Sequence, residues 1–265
     1  MIAELAGSLG RTTVELFGQV GRLCGTATSG SAKLVRSLLP GEKFRGRSTV
    51  VQLYHMGTLA LPIVGLIAFM MGLILSFQAA YQLEPLGAER LVADLVSVSL
   101  TRELGPVITA IVVAGRSGSA IAAEIASMKV QEEIDALRVM GINPVAFLVA
   151  PKLLAMLVAL PLLTAFADLL GILGGLLCAV SVLDIPAHMY LERCQAAVIM
   201  KDFVSGLAKA AIFAGIIVSV AAYCGFEVTG GAEGVGRATT RAVVLSIFLV
   251  IVADLVFTGL YFNFG

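Results

Sequence analysis

Arg102 and Glu103 stand side by side in LTRELGPVITAIVVAG, residues 100–115, just ahead of Gly105 and Pro106 and of an apolar run from Ile108 that suits lipid. A guanidinium and a carboxylate can bind a headgroup, pair with opposite charges or hold water. Facing hydrocarbon instead, a charge costs on the order of 2.5–3.5 kcal/mol at mid-bilayer even on the gentlest scale. Neighbours on a helix point about 100° apart, whereas residues three or four apart meet, so Arg102 and Glu103 need other partners or water. Pro106 has no N–H for the carbonyl four residues earlier, that of Arg102, which predicts a kink at Gly105 and Pro106. Irregular polar backbone inside a membrane is tolerated where it lines a cavity or meets another protein surface. Four further polar residues fall in apolar surroundings: Gln78, Asp168, Lys209 and Asp254. Lys209 and Asp254 have complementary charges and can pair; each of these residues reads as structural.

The elements that must position these groups follow from composition. The chain has 265 residues, 58% of them hydrophobic and 14% charged, with a mean hydropathy of +0.98. Soluble domains hold about 45–50% apolar residues, so this is an integral membrane protein. Five apolar blocks, at about 53–78, 91–115, 145–182, 203–225 and 243–264, are long enough to cross a ~30 Å hydrocarbon layer at ~20 residues each. The fold class is all-α: an interfacial amphipathic helix and five transmembrane helices, with a short cytoplasmic helix between spans two and three. The third block contains Pro151 and Pro161; read as one span, it puts the two termini on opposite sides.

Lys and Arg in short loops stay cytoplasmic. Arg11, Arg22, Lys33, Arg36, Lys43, Arg45 and Arg47 precede the first span, and Arg116, Lys129, Arg138, Arg237 and Arg241 follow the second and fourth, twelve in all against Arg90, Arg193 and Lys201 on the other face. The N-terminus is therefore expected inside and the C-terminus outside. Counting from Leu95, Arg102 is seven residues down span two, roughly 10 Å at ~1.5 Å per residue. Arg102 can snorkel from that depth, while the shorter Glu103 must face protein or a wet cavity. Eighteen basic and eighteen acidic residues cancel, which argues against nucleic acid as a partner. The first 50 residues lack a compact apolar core followed by small residues, so no cleavable signal is expected and the first span is expected to serve as the targeting signal.

Residues 1–48 form a separate segment ahead of the membrane-spanning region 49–265. Leu5, Leu9, Leu16, Val20 and Leu23 recur at helical spacing with Arg11, Glu15 and Arg22 between them, the pattern of a helix lying on the cytoplasmic bilayer surface. Residues 115–144 read as a cytoplasmic loop whose last part is a helix. Glu132, Glu133 and Asp135 crowd its first turn, Arg138 lies near its end, Gly141 can take the left-handed cap and Pro144 forbids continuation. Ile134 and Leu137 share one stripe, leaving the acidic side for a partner. The glycine-rich CGFEVTGGAEGVGRATTRA, residues 224–242, lacks the lysine and hydroxyl of a phosphate-binding loop, and its glycines suit a tight turn. Cys24, Cys178, Cys194 and Cys224 have no metal-binding spacing and read as packing residues.

One enzyme reading comes from GRSG, residues 115–118, which matches the GxSG of rhomboid-type intramembrane proteases. It requires Ser117 within hydrogen-bond reach of His55 or His188, the two histidines of the chain. EEIDALR resembles the EExxxR of another intramembrane protease class, with one residue too many and no metal-binding histidines.

SLTRELGPVITAIVVAGRSGSAIAAEIASMKVQEEIDALRVMGINP, then PKLLAMLVALPLL, then GVGRATTRAVV, resemble in content and order the MlaE (YrbE) family of ABC-transporter permeases, over about residues 50–262. The resemblance implies an inner-membrane permease that dimerises, sits on two copies of a separate ATPase and opens outward to MCE-domain subunits. Together these move phospholipid to or from the outer membrane and maintain its lipid asymmetry. It implies no cofactor on this chain, with ATP and Mg held by the ATPase. It makes the helix with Glu132, Glu133, Asp135, Leu137 and Arg138 the coupling helix; DALxxxG followed by Pro151 resembles the EAA loop of ABC importers. It places Arg102 and Glu103 at a lipid pocket or MCE contact near the outer face, with Gln78, Leu75 and Leu104 beside them. A membrane anchor for MCE proteins that transports nothing is the other non-enzymatic reading.

Overall fold

A computed structural model describes residues 46–264, with side chains from Ser48 to Tyr261. The amphipathic segment at 1–45 lies outside the described residues. The described residues form helices joined by short turns, with no strand among them. The helices are α1 (Gly46–Met56), α2 (Leu61–Leu83), α3 (Leu91–Ser99), α4 (Gly105–Val113), α5 (Ser119–Val130), α6 (Glu133–Val139), α7 (Ala150–Val182), α8 (Ala187–Ala197), α9 (Met200–Phe226) and α10 (Gly231–Phe264). Among the described residues, five helical stretches are long and apolar enough to cross a membrane: Ser48–Leu86, Leu91–Val130, Val145–Val182, Met200–Phe226 and Gly231–Tyr261. The third is one span; Pro161 lies inside α7 without ending it.

Three expectations need correction. Residues 115–130 are not loop. Span two runs on through a wide π turn at Ala114–Gly118 into α5, because Ile121, Ala122, Ile125 and Ala126 present one buried face to the bundle. The glycine-rich stretch is mostly the start of α10; the turn occupies only its first part, where Gly230 (φ +89°) and Gly231 (φ +61°) take the left-handed conformation that glycine adopts freely. Past that turn, small residues let the helix sit close to its neighbours, and Ala238 packs with Ala126 and Val228. The loop after span three contains α8, held by buried Tyr190 and Cys194 against Ala93 and Ala179 and by an Arg193–Asp94 ion pair.

Pro106 does not break span two. The chain widens into a π turn at Leu100–Leu104 and resumes as α4 with Pro106 in its first turn, where a missing N–H costs little. This turn carries Arg102 and Glu103.

Within lipid, helices gain nothing from hiding apolar surface and associate through close packing and interhelical polar contacts. Accordingly, α2 packs on α7 through glycine: a Cβ on Gly72 would stand 1.8 Å from the Gly171 carbonyl oxygen. The main core lies where α4, α5, α7 and α9 meet, around Met156, Leu160, Phe213 and Ile217. Ile134 and Leu137 anchor α6 to it.

Candidate functional site

The centre of the polar site is Lys209, 2% exposed on α9. It lies nine residues beyond Met200, roughly 14 Å along the helix at ~1.5 Å per residue. An ammonium has three donors and no acceptor. All three are used: Nζ donates to a Glu103 carboxylate oxygen, to Asp254 Oδ1 at 2.9 Å and to Thr258 Oγ1 at 3.0 Å. The Thr258 hydroxyl in turn donates to Glu103, 3.1 Å from Oε2. Two carboxylates thus converge on one buried cation, with Asp254 and Thr258 one helical turn apart on α10. Glu103 remains 31% exposed, so the cluster reaches the surface.

Arg102 turns to a different set of partners. Its guanidinium lies 4.2 Å from the centre of the Tyr261 ring, and its Nε is 4.0 Å from Asp202 Oδ1. Tyr261 donates its hydroxyl to the same Asp202 oxygen at 3.1 Å, and Lys201 approaches the ring from α9. The Arg102 side chain is 37% exposed, leaving much of its planar fork free for an anion.

Close backbone approach holds the turn in place. A Cβ on Gly206 would come within 2.2 Å of the Thr101 carbonyl oxygen, and one on Gly105 within 1.8 Å of Asp168 Oδ1. Asp168 is buried in α7, and that oxygen has no hydrogen-bond partner. Gly105 is thus required by Asp168 as well as by the turn.

The other expected residues divide. Leu75 and Leu104 each pack against the buried cluster of Ala80, Val92, Val96 and Leu100. Gln78 is exposed on α2 and is not a hydrogen-bond partner of Arg102 or Glu103. Lys209 and Asp254, read from the sequence as structural residues that can pair, do pair; Asp202, Thr258 and Tyr261 join the site without being singled out by the sequence. The available signal was that Lys209 and Asp254 are charges deep in separate apolar blocks.

At the other end of the bundle, α6 follows Glu132, which takes φ +61°, and ends at Gly141 with φ +74°. Asp135 pairs with Arg138 at 2.9 Å and Lys129 at 3.4 Å. Glu132 and Glu133 are exposed, as are Val139 (89%) and Met140 (63%). Ser117, the serine of GRSG, is buried with a hydroxyl that has no hydrogen-bond partner. A nucleophile activated by histidine needs that bond, so the protease geometry is not formed.

The family model described as Permease MlaE matches residues 49–260. A probable ABC transporter permease protein of Rickettsia bellii is 36% identical over 263 residues, covering 99% of this chain and 100% of the relative. One from Synechocystis is 36% identical over 217 residues, 82% of each. The chloroplast protein TRIGALACTOSYLDIACYLGLYCEROL 1 of Arabidopsis thaliana is 35% identical over 233 residues, 88% of this chain and 66% of that protein. With five apolar spans, a match over most of its length and relatives of this kind, the chain is a multi-pass membrane protein of the MlaE permease family.

Proposed function

We propose that this chain is the lipid-moving permease subunit of a bacterial ABC transporter. It works in the inner membrane as a homodimer, with separate ATPase subunits that hold ATP and Mg and with an MCE-domain protein outside. Its cargo is phospholipid, moved to or from the outer membrane so that lipid asymmetry is kept. The observation that carries the reading is the partly exposed cluster of Lys209, Glu103, Asp254, Arg102 and Asp202 at membrane depth. Such groups facing acyl chains are costly. A phospholipid headgroup against Arg102, with its chains beside Leu75 and Leu104, satisfies both kinds of surface. The uncovered α10 stripe of Val244, Phe248, Ile251 and Leu255, one turn from Asp254 and Thr258, suits a second copy that closes the site. The chloroplast relative is named for a glycolipid, which supports a lipid cargo.

Under this reading α6 is the coupling helix. Its apolar pair Ile134 and Leu137 is fixed to the permease, while Glu132, Glu133, Val139 and Met140 present a mixed surface to the ATPase. Its side is cytoplasmic by the distribution of basic residues, with the N-terminus cytoplasmic and the C-terminus periplasmic.

The test is lipid mass spectrometry on the purified complex together with transport between proteoliposomes. Arg102→Ala and Glu103→Ala are expected to assemble with ATPase and lose most transport. Variants that move lipid as fast as the parent overturn the site. A complex free of lipid and without ATP-dependent movement overturns the transport reading in favour of an anchor.

A further inference from the structure

The second π turn, Ala114–Gly118, has a feature that the outer cluster does not explain. It borders a cleft of about 450 Å³ between α1 and α5, lined among others by Gln52, His55, Leu59, Arg116, Ser117 and Glu124. That volume falls within the ~300–1,000 Å³ usual for small-ligand sites. Gly118 packs on Ile217, eight residues beyond Lys209 on α9, which sets the cleft roughly 12 Å farther along the bundle at ~1.5 Å per residue, toward the end that carries α6.

Three observations indicate what this cleft holds. Ser117 is 3% exposed, lines the cleft, and has a hydroxyl with no hydrogen-bond partner. Ser76, Thr109, Tyr190 and Ser246 also carry buried hydroxyls without a partner, and of these five Ser117 is the one on the cleft wall, where an incoming ligand can supply the missing bond. Arg116 is fixed by one bond, Nη1 donating to the His55 carbonyl at 3.0 Å, which orients the guanidinium and leaves its other donors unspent. The one carboxylate at the cleft, Glu124, is already bound by buried Lys152 at 2.7 Å. Among the lining residues Arg116 and Glu124 are the charged ones, and because Lys152, behind the wall, takes up the Glu124 charge, the Arg116 cation faces the cleft without a carboxylate of its own. Beside these groups Val51 (47% exposed) and Leu59 (44%) form an apolar rim.

We propose that this cleft binds the phosphate of an anionic amphiphile, with Arg116 and Ser117 holding phosphate oxygens, Gln52 and His55 at the headgroup, and Val51 and Leu59 against the first acyl carbons. It is a second lipid site, at the opposite end of the bundle from the Lys209 cluster, and it serves the monolayer on the α6 side. It does not depend on the transport reading. Free phosphate shares the anion chemistry but has no use for the apolar rim.

The test uses the full-length chain in phosphatidylcholine nanodiscs doped with phosphatidylglycerol that carries a photoactivatable diazirine near its glycerol. After irradiation, label is expected on peptides containing residues 51–59 and 120–124. Arg116→Gln is expected to cut this labelling about tenfold, the loss of one charge-assisted hydrogen bond. Arg116→Lys keeps much of it. Ser117→Ala removes an unsatisfied hydroxyl, so it leaves the melting temperature equal or higher yet reduces labelling roughly three- to tenfold. Labelling unchanged in well-folded Ser117→Ala and Arg116→Gln overturns the site. Full displacement by excess inorganic phosphate overturns its assignment to lipid. Labelling that persists while transport is abolished by Glu103→Ala separates this site from the outer one.

Discussion

Lys209 is the residue on which the polar cluster depends, because it is the most buried member and the shared partner of two carboxylates. Removing one acid leaves it with the other and with Thr258, whereas removing the ammonium leaves two acids facing each other. Lys209→Met is therefore expected to lower stability by about 3–5 kcal/mol, the usual cost of stripping one partner from a buried ion pair. Glu103→Ala should cost well under half as much. Thermal unfolding in detergent checks the order, and adding Glu103→Gln and Asp254→Asn to Lys209→Met should restore most of the loss. Gly105→Ala drives a methyl into Asp168 and should cost about 1–3 kcal/mol. Asp168→Ala in the same chain should return part of it, which a double-mutant cycle measures. The charges that anchor this site were visible in the sequence because each interrupts an apolar run. Complementary charge offered the pairing of Lys209 with Asp254, but not the arrival of Glu103, because the three residues come from three helices whose adjacency is set by tertiary packing. Tyr261 and Thr258 carry no charge at the end of an apolar block, so nothing in the sequence ties them to Arg102 and Glu103, which they contact.

Among the elements, α6 was the most legible, since its acidic start, its basic end and Gly141 all obey helix electrostatics and capping. Residues 115–130 were misread because glycine and serine weaken the helical pattern locally, and burial of Ile121 and Ile125 overrides that preference. The start of α10 was misread for the same reason. The third helix missed, α8, has a mixed face and gains its place through Tyr190 and Cys194. Burial pushes the Cys194 thiol above its ordinary pKa, so it stays protonated at neutral pH and through mildly alkaline pH. Alkylation is expected to be negligible there until the fold is opened by denaturant, and mass spectrometry of carbamidomethylated peptides reports it. For α6, Glu133→Lys and Val139→Asp alter exposed residues and should leave melting unchanged while sharply reducing ATPase co-purification. Asp135→Lys also breaks the contacts to Lys129 and Arg138, so it should lower the melting temperature too.

At the scale of the whole molecule, five spans and the asymmetry of basic residues predict the sides that the two ends face. In a chain whose native cysteines have been replaced, Glu84→Cys should react with an impermeant maleimide from the periplasm, and Glu133→Cys only after the inner membrane is permeabilised. The reverse pattern overturns the orientation. Membrane class and span count were legible because hydropathy integrates over ~20 residues and tolerates local errors. Where two helices touch through their main chains, as at Gly72 and Gly171, there is no cushion of side chains left to compress or shear. Spans one and three therefore form a stiff rib, and any change in the width of the bundle must be taken up at other seams, among them the thinly buried helix that carries Asp254 and Thr258.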